Sequence, residues 1–523
     1  MIRWVVLAVV AASSAVVSGP MPHNPTRVST WAWEPGMAVD GTGRIWVVGN
    51  HCPFADQHGS CLPVDHIAQP ADTTPVWRSD DDGRTFRWIA DPLAGLAGID
   101  RPGGNDSDLA VAPLARPGHG PIVAVSSLFG LSTTLALSDD DGATWKVAQL
   151  SGVPLQDRPW VVADGQCDLY VGYHLITGAT NVASEPIVNR YDACSLMDHG
   201  VAGQLVATPA TIAVVPPLPA SNQDVAKTVV AGGRVYVAHL ACDSAIATPS
   251  CNGPGDHQTM HVGVSTDRAA TFTDVALPDL GLHGDMNDGT WPVTAAADAA
   301  GHVVVAACDA HHVWLWRSSD FGATWQAVHT PVDAGTGWTL ASVASIAVRG
   351  ATVAVAWNGS PPVAAPAGQP WSLVVARSDN GGATFATTVV PPVLATTATG
   401  GALADGLYDD FGLVITAQGA ILATYTQSCD GHAPTDAACP GPKPGDVGTF
   451  DVVRWARLAP PLTGAPGATA GPPPATVAGA GRRPLPPTGD TNDAALLGVL
   501  LLLVAVASRA WAGASRRSGP SPN

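Results

Sequence analysis

The chain has 523 residues, with 43 acidic side chains against 25 basic ones and a formal charge of −18. Its surface should repel phosphate backbones, which removes nucleic acid from the expected partners. Glu34 and Glu185 are the only glutamates and Lys146, Lys227 and Lys443 the only lysines, so the usual fillers of exposed helix positions are nearly absent while Asp, Gly, Pro and Thr abound, a mix that points to strands and turns.

At the N-terminus Arg3 precedes an apolar stretch, Trp4 to Val10, and a small-residue run, Ala11 to Gly19. This is the order of a secretory signal peptide. Residues 1–19 are expected to be a leader, with the mature chain starting near Pro20. A membrane-spanning helix needs about 20 apolar residues, and this stretch ends sooner, in Ser, Gly and Pro.

The middle of the chain carries a repeat, Ser-x-Asp-x-Gly-x-Thr-aromatic. It occurs at Ser79–Phe86, Ser138–Trp145 and Ser318–Trp325, with Asn for Asp at Ser378–Phe385 and without the glycine at Ser265–Phe272. Such an octamer is a hairpin turn: short carboxylates and amides accept backbone N–H groups, hydroxyls tie the ends, and Gly allows positive φ. Each unit also holds an earlier strand of one type, seen in Gly43–Val47, Gly233–Val237 and Gly301–Val305. The gap between the second and third boxes is wide enough for one more unit, with a strand pair in Val161–Leu175 and a damaged turn near Tyr191–Gly200. The strand at Ala420–Tyr425 belongs to a last unit that stops after its third strand, Phe450–Leu458. Val28–Trp33 is expected to add the missing fourth strand, because closure removes exposed edges.

The octamer resembles the Asp-box, or BNR, repeat of sialidase-like propellers, and the resemblance spans most of residues 35–458. It implies an all-β fold, a sialidase-like β-propeller over residues 28–458, of seven blades with six, the sialidase number, as the alternative. In that family the boxes are structural turns and carry no chemistry.

Nine cysteines in an exported chain suggest disulfides. Cys52, Cys242 and Cys429 follow second strands and have partners about ten residues on, giving Cys52–Cys61, Cys242–Cys251 and Cys429–Cys439. Cys167–Cys194 is a fourth pair, leaving Cys308 as a thiol. No pair has the CxxC spacing of structural zinc.

Beyond Leu458, residues 459–484 form a Pro/Gly/Ala-rich spacer without a core of its own. Leu485-Pro486-Pro487-Thr488-Gly489 (485–489) is then followed by an apolar segment, 494–508, expected to form a hydrophobic helix in the membrane, and a basic tail, 509–523. This order resembles the LPxTG cell-wall sorting signal of Gram-positive surface proteins. The resemblance implies a sortase as partner, cleavage between Thr488 and Gly489, and attachment to peptidoglycan through Thr488. A simple tail anchor is the alternative, since basic residues would hold the tail inside in either case. The expected location is the cell wall or the outer face of the cytoplasmic membrane, and the expected state a monomer.

If the boxes lie between third and fourth strands, a binding site belongs on the opposite face, over the channel. Aspartates recur there just before the innermost strands: Asp106, Asp108, Asp157, Asp224, Asp288, Asp409 and Asp410. Beside them stand Arg158, Trp160, Lys227, Trp291 and Tyr408, and the second-strand ends add Tyr173, His174, His239 and Tyr425. Each Asp capping its own loop is one reading. A carbohydrate site is another, with aromatic faces for sugar rings and Asp157, Asp224 and Asp288 as candidate acid, base or nucleophile. Calcium at His283–Asp288 is a third, although no segment matches an EF-hand loop. No other metal or cofactor is expected.

The sialidase comparison implies an arginine clamp and a Tyr–Glu nucleophile pair with an Asp acid. Arg158 matches in kind, but there is no Arg-Ile-Pro segment and neither Glu34 nor Glu185 is placed beside a suitable Tyr. The reading is therefore a surface propeller that binds a glycan or protein ligand, with a wall-anchored glycoside hydrolase as the alternative.

Overall fold

Seven sheets follow one another along the chain, antiparallel but for one short parallel pair, Val206–Ala207 beside Gln149–Leu150, in keeping with the alternation of apolar and small polar residues between turn signals. The computed structural model describes residues 16–22, 32–50, 74–93, 105–129, 132–150, 156–177, 182–199, 206–207, 211–215, 220–225, 227–242, 257–283, 293–308, 312–334, 339–360, 369–397, 411–428 and 451–460. Blade 1 is Trp33–Val39, Ile45–Asn50, Val76–Ser79 and Arg87–Ala90; blade 2 is Asn105–Val111, Val123–Phe129, Ser132–Ser138 and Lys146–Leu150. Blade 3 is Gln156–Asp164, Asp168–Thr177, Val182–Asp192 and Thr211–Val214. In blade 4 the segments Ala220–Val225 and Val229–Ala231 share the first position, before Arg234–Cys242, His257–Ser265 and Thr273–Ala276. Blade 5 is Thr294–Ala297, Val303–Cys308, Val313–Ser318 and Gln326–Val328; blade 6 is Thr339–Arg349, Thr352–Ser360, Gln369–Ser378 and Ala386–Thr397. Blade 7 is Gly412–Ile415, Ile421–Ser428 and Asp451–Leu458, completed by Val16–Pro20.

First strands of successive blades touch one another all the way round, from blade 1 to blade 7 and back, so they line the central axis of a seven-bladed propeller. The apolar cores lie between neighbouring blades, one at each junction. Trp46, Trp77, Trp316 and Trp357 are fully buried there and supply large areas removed from water.

All five boxes form the expected turn between third and fourth strands. In the first, Gly83 N donates to Ser79 Oγ (2.9 Å), and Asp81 accepts from Thr85 N (2.9 Å), Thr85 Oγ1 (2.6 Å) and Ser79 Oγ (2.8 Å). These bonds hold the Asp81 carboxyl below its usual pKa against a raising effect of burial. Where the glycine is lost, Ala269 takes its place at φ +55° and still donates to Ser265 Oγ (2.9 Å). The damaged turn of blade 3 is a short helix, Ala193–Asp198, capped by Asp192, whose carboxylate accepts from Ser195 N at 3.0 Å.

The closing strand differs from the expectation. Val16–Pro20, not Val28–Trp33, pairs with Asp451–Leu458, in register from Val16 opposite Leu458 to Pro20 opposite Arg454. Its ladder continues through Met21 N to Val453 O (2.9 Å). A Cβ built on Gly19 would stand in ordinary contact with the Trp455 indole, 3.5 Å from Nε1. Trp33 instead opens the first strand of blade 1. The closing strand overlaps the last residues of the expected leader.

Cys167 and Cys194 form a disulfide and Cys308 is a thiol. The other expected disulfides fall outside the described residues, or on a side chain that is not described (Cys242), as do the spacer, the sorting motif and the C-terminal apolar segment. Among the described residues no helix is long and apolar enough to cross a membrane.

Candidate ligand-binding face

Antiparallel order fixes which end of the channel is which. The box turns join third to fourth strands, so first strands begin on the face opposite the boxes. On that face the first strands of blades 1, 2, 3, 4 and 6 each carry a register shift near their start: Trp33/Gly36, Asn105/Ser107, Asp157/Trp160, Ala220/Val225 and Ala341/Ala344. Bulges re-aim side chains and cluster at barrel rims and beside active sites.

Two of these bulges are strained. Asp106 has φ +22° and Arg158 φ +53°; every other non-glycine residue at positive φ among the described residues, namely Asp82, Asp141, Arg268, Ala269 and Phe321, sits in one of the octamer turns. Left-handed backbone at residues with a Cβ costs about 1–3 kcal/mol each and persists only where the surroundings over-determine it. Here they do. Ser126 Oγ donates to Pro159 O (2.6 Å), and Val161 N donates to Asp108 Oδ2 (2.9 Å), so both flanks of the blade 3 bulge are held by blade 2.

Asp108 is 1% exposed, and its other carboxylate oxygen pairs with Lys227 Nζ at the entry to blade 4. Gly36 of blade 1 abuts the same carboxylate, leaving only 2.9 Å between Asp108 Oδ1 and the place a Cβ would occupy. One buried carboxylate therefore joins the first strands of four blades. Its carboxylate bridges neighbouring blades instead of capping its own loop, a role the sequence did not suggest. On a regular strand residues two apart share a face, so the spacing of Asp106 and Asp108 alone groups them together and gives no signal of this role. Next to it, Thr74, Ser107 and Ser127 form a buried hydroxyl chain between blades 1 and 2, with oxygens 3.1 and 2.8 Å apart.

Of the expected site residues, Asp106, Asp108, Asp157 and Asp224 lie within first strands rather than ahead of them. Asp157 is the register partner of His174 at the far end of the second strand. Arg158 and Trp160 are buried, with a small exposed edge each, 7% and 8%. Tyr173 is buried in the core between blades 2 and 3, its hydroxyl accepting from Asn189 Nδ2 at 3.2 Å, and Tyr425 is buried between blades 6 and 7. His239 is fully enclosed in blade 4 and stacks on His261 at 5.9 Å, with His261 Nδ1 2.9 Å from Asp274. Burial, reinforced by His261 and opposed by Asp274, pushes the His239 pKa down to about 4. Asp288, Trp291, Tyr408, Asp409 and Asp410 lie outside the described residues, and the side chains of Asp157, His174 and Asp224 are not described.

Among the described residues one trio has the spacing to hold a metal, Cys167, Asp192 and Cys194. The two cysteines are joined in the disulfide and Asp192 caps the helix, so their chemistry is already committed. The proposed calcium segment falls almost entirely outside the described residues.

No family model matches this chain, and no curated protein matches it. Several solved structures show a low similarity to it. A protein of unknown function from Dyadobacter fermentans is 14% identical, with 85% of this chain and 99% of that one covered and a TM-score of 0.39. A Penicillium chrysogenum α-L-arabinanase complexed with arabinobiose is 14% identical, covering 67% and 93%, at 0.40. The Aleuria aurantia lectin in complex with α-methyl-L-fucoside is 12% identical, covering 61% and 88%, at 0.34.

Proposed function

We propose that this chain is an exported, monomeric, non-catalytic propeller, held at the cell surface by its C-terminal segment, which binds a glycan or protein ligand on the face opposite the Asp-boxes. The observation that carries the reading is the pair of left-handed residues, Asp106 and Arg158, at matching bulges of adjacent blades. Strain of this kind concentrates at ligand clamps. Both residues stand near the starts of neighbouring first strands, with Trp160 and the Asp157–His174 register pair in the same strand ends. Charged groups fix orientation and aromatic edges supply apolar contact, the usual division of labour in a polar-ligand site. The anchoring part of the proposal rests on the sorting-signal order of residues 485–523, with sortase cleavage between Thr488 and Gly489.

A glycan array probed with protein that retains Val16–Pro20, run beside a panel of chromogenic glycosides including a sialoside, tests the reading. Binding without turnover is expected, weakened at least tenfold by Asp157→Asn. Turnover that disappears in Asp157→Asn or Asp288→Asn would establish the hydrolase instead. Release of the protein from the wall fraction in Thr488→Ala checks the covalent anchor.

A further inference from the structure

An arginine precedes the box serine in three blades: Arg78, Arg317 and Arg377. In each, the guanidinium crosses to a carbonyl at the base of the next blade, that of Asp141 (3.2 Å), Gly381 and Gly419 (2.7 Å) respectively. Arg78 and Arg377 are also neutralised by the acid two residues on, Asp80 at 2.8 Å and Asp379 at 2.7 Å. In blade 5 that position is Ser319.

Arg317 thus keeps its carbonyl and a contact to Gln326 Oε1 (3.3 Å), with no carboxylate beside it. Burial lowers its pKa, and no acidic neighbour offsets the effect. A cleft of about 320 Å³ opens around it between blades 5 and 6, bordered by His302, Ser319, Thr324, Gln326 and Asn380. The nearby acids are already engaged: Asp298 accepts from His302 Nδ1 (2.9 Å) and Gly350 N (2.7 Å), and Asp320 from Ser318 Oγ and Thr324 N (both 2.8 Å).

From this internal comparison we infer that the cleft binds a small acidic sugar of the hexuronate class, its carboxylate taking on Arg317 the place that Asp80 and Asp379 take in the sister blades. Guanidinium and carboxylate match as a planar, charge-assisted pair. The amides and hydroxyls of Gln326, Asn380, Thr324 and Ser319 suit the ring hydroxyls. The volume is at the small end for ligand sites, about 300–1,000 Å³, which suits one ring and not a chain. The place is reachable, since Asp80 and Asp379 are 46% and 48% exposed where they fill it. This site lies on the box face and is independent of the one proposed at the channel mouth.

Calorimetric titration of the purified full-length chain with glucuronate, glucose and inorganic phosphate tests it. Glucuronate should bind, with glucose and phosphate at least tenfold weaker. Ser319→Asp, which supplies the missing carboxylate from within, should weaken glucuronate at least tenfold while melting no lower than the parent. Affinity unchanged in a folded Ser319→Asp protein, absence of glucuronate binding by the parent, or equal binding of glucose or phosphate would each overturn the assignment.

Discussion

His239 should make the propeller acid-sensitive by an amount that can be separated from the rest of the molecule. Its ring is fully buried. Burial, aided by His261 and opposed by Asp274, lowers its pKa from 6.5 to about 4. A depressed histidine pKa means that the unfolded chain takes up a proton first. The neutral form's advantage is therefore complete above pH 6.5 and is lost as the pH falls toward 4, where the folded form also protonates. At roughly 1.4 kcal/mol per pH unit the loss amounts to about 3 kcal/mol across that window. The boxes' aspartates, whose pKa values are lowered from 3.8, titrate below it and leave it clear. The assay is urea unfolding of the parent and of His239→Leu at pH 7.5 and 4.5. Leucine keeps the apolar volume and removes the titration, so the fall in stability between the two pH values should shrink by about 2–3 kcal/mol in the variant. Equal falls in both proteins would refute the reasoning.

Two glycines at similar φ separate backbone strain from crowding. Gly43, at φ +88°, faces open space, whereas a Cβ on Gly142, at φ +82°, would meet Ile89 Cγ2 at 2.7 Å. Gly43→Ala should cost about 1–2 kcal/mol and Gly142→Ala a further 1–3 kcal/mol or so, measured by chemical denaturation. Replacing both Cys167 and Cys194, separated by 27 residues, with alanine should cost about 3–4 kcal/mol on chain-entropy grounds, and reducing agent should lower the melting temperature of the parent by more than that of the double variant, in which only the other expected disulfides remain to be reduced. The leader proposed for this chain must end before the closing strand, and Ser13 and Ala15 supply the small residues that signal peptidase requires ahead of Val16. N-terminal sequencing of exported protein should therefore read Val-Val-Ser-Gly-Pro; a start at Pro20 would remove the strand from blade 7 and refute this.

The octamer turns were legible because their chemistry is local: each hydrogen-bonding pattern is written into eight consecutive residues, and the structure reproduces it even at Ala269 and Asn380. The blade count was legible from the long gap between boxes and from the recurring second strands. The closing strand was not, because Val16–Pro20 reads as the small-residue end of a leader and its partner is more than 430 residues away, at Arg454–Leu458. Asp108 was grouped with the ring of site carboxylates, but only the register of three neighbouring blades shows that it is enclosed by Gly36, Val161 and Lys227. The strain at Arg158 was equally hidden. Asp-Arg-Pro-Trp announces a turn or an edge, and nothing in those residue types gives the sign of φ.

The fourth position of the box explains why this face is so regular. In box after box it bonds to the preceding blade: Asp82 to Arg457 (2.6 Å), Asp141 to Arg44 (2.8 Å), Arg268 to Asp168 (2.8 Å), Phe321 O to Arg234 (2.7 Å), and Gly381 O to Arg317. Blade 7 has no box, and Gly419 O receives Arg377 instead. Blade 3 has lost its box too, and there the helix takes over, with Asp198 pairing to Arg116 and Met197 O to Lys146, both from blade 2. All seven junctions are tied, and the helix and disulfide of blade 3 are thereby read as a structural substitute rather than a functional insertion. A ring fixed in this way on one face can hold strained residues at the other, because no blade can rotate to relax Asp106 or Arg158 without breaking a tie on either side. The same logic singles out blade 5, where the tie is kept and its counter-charge is not.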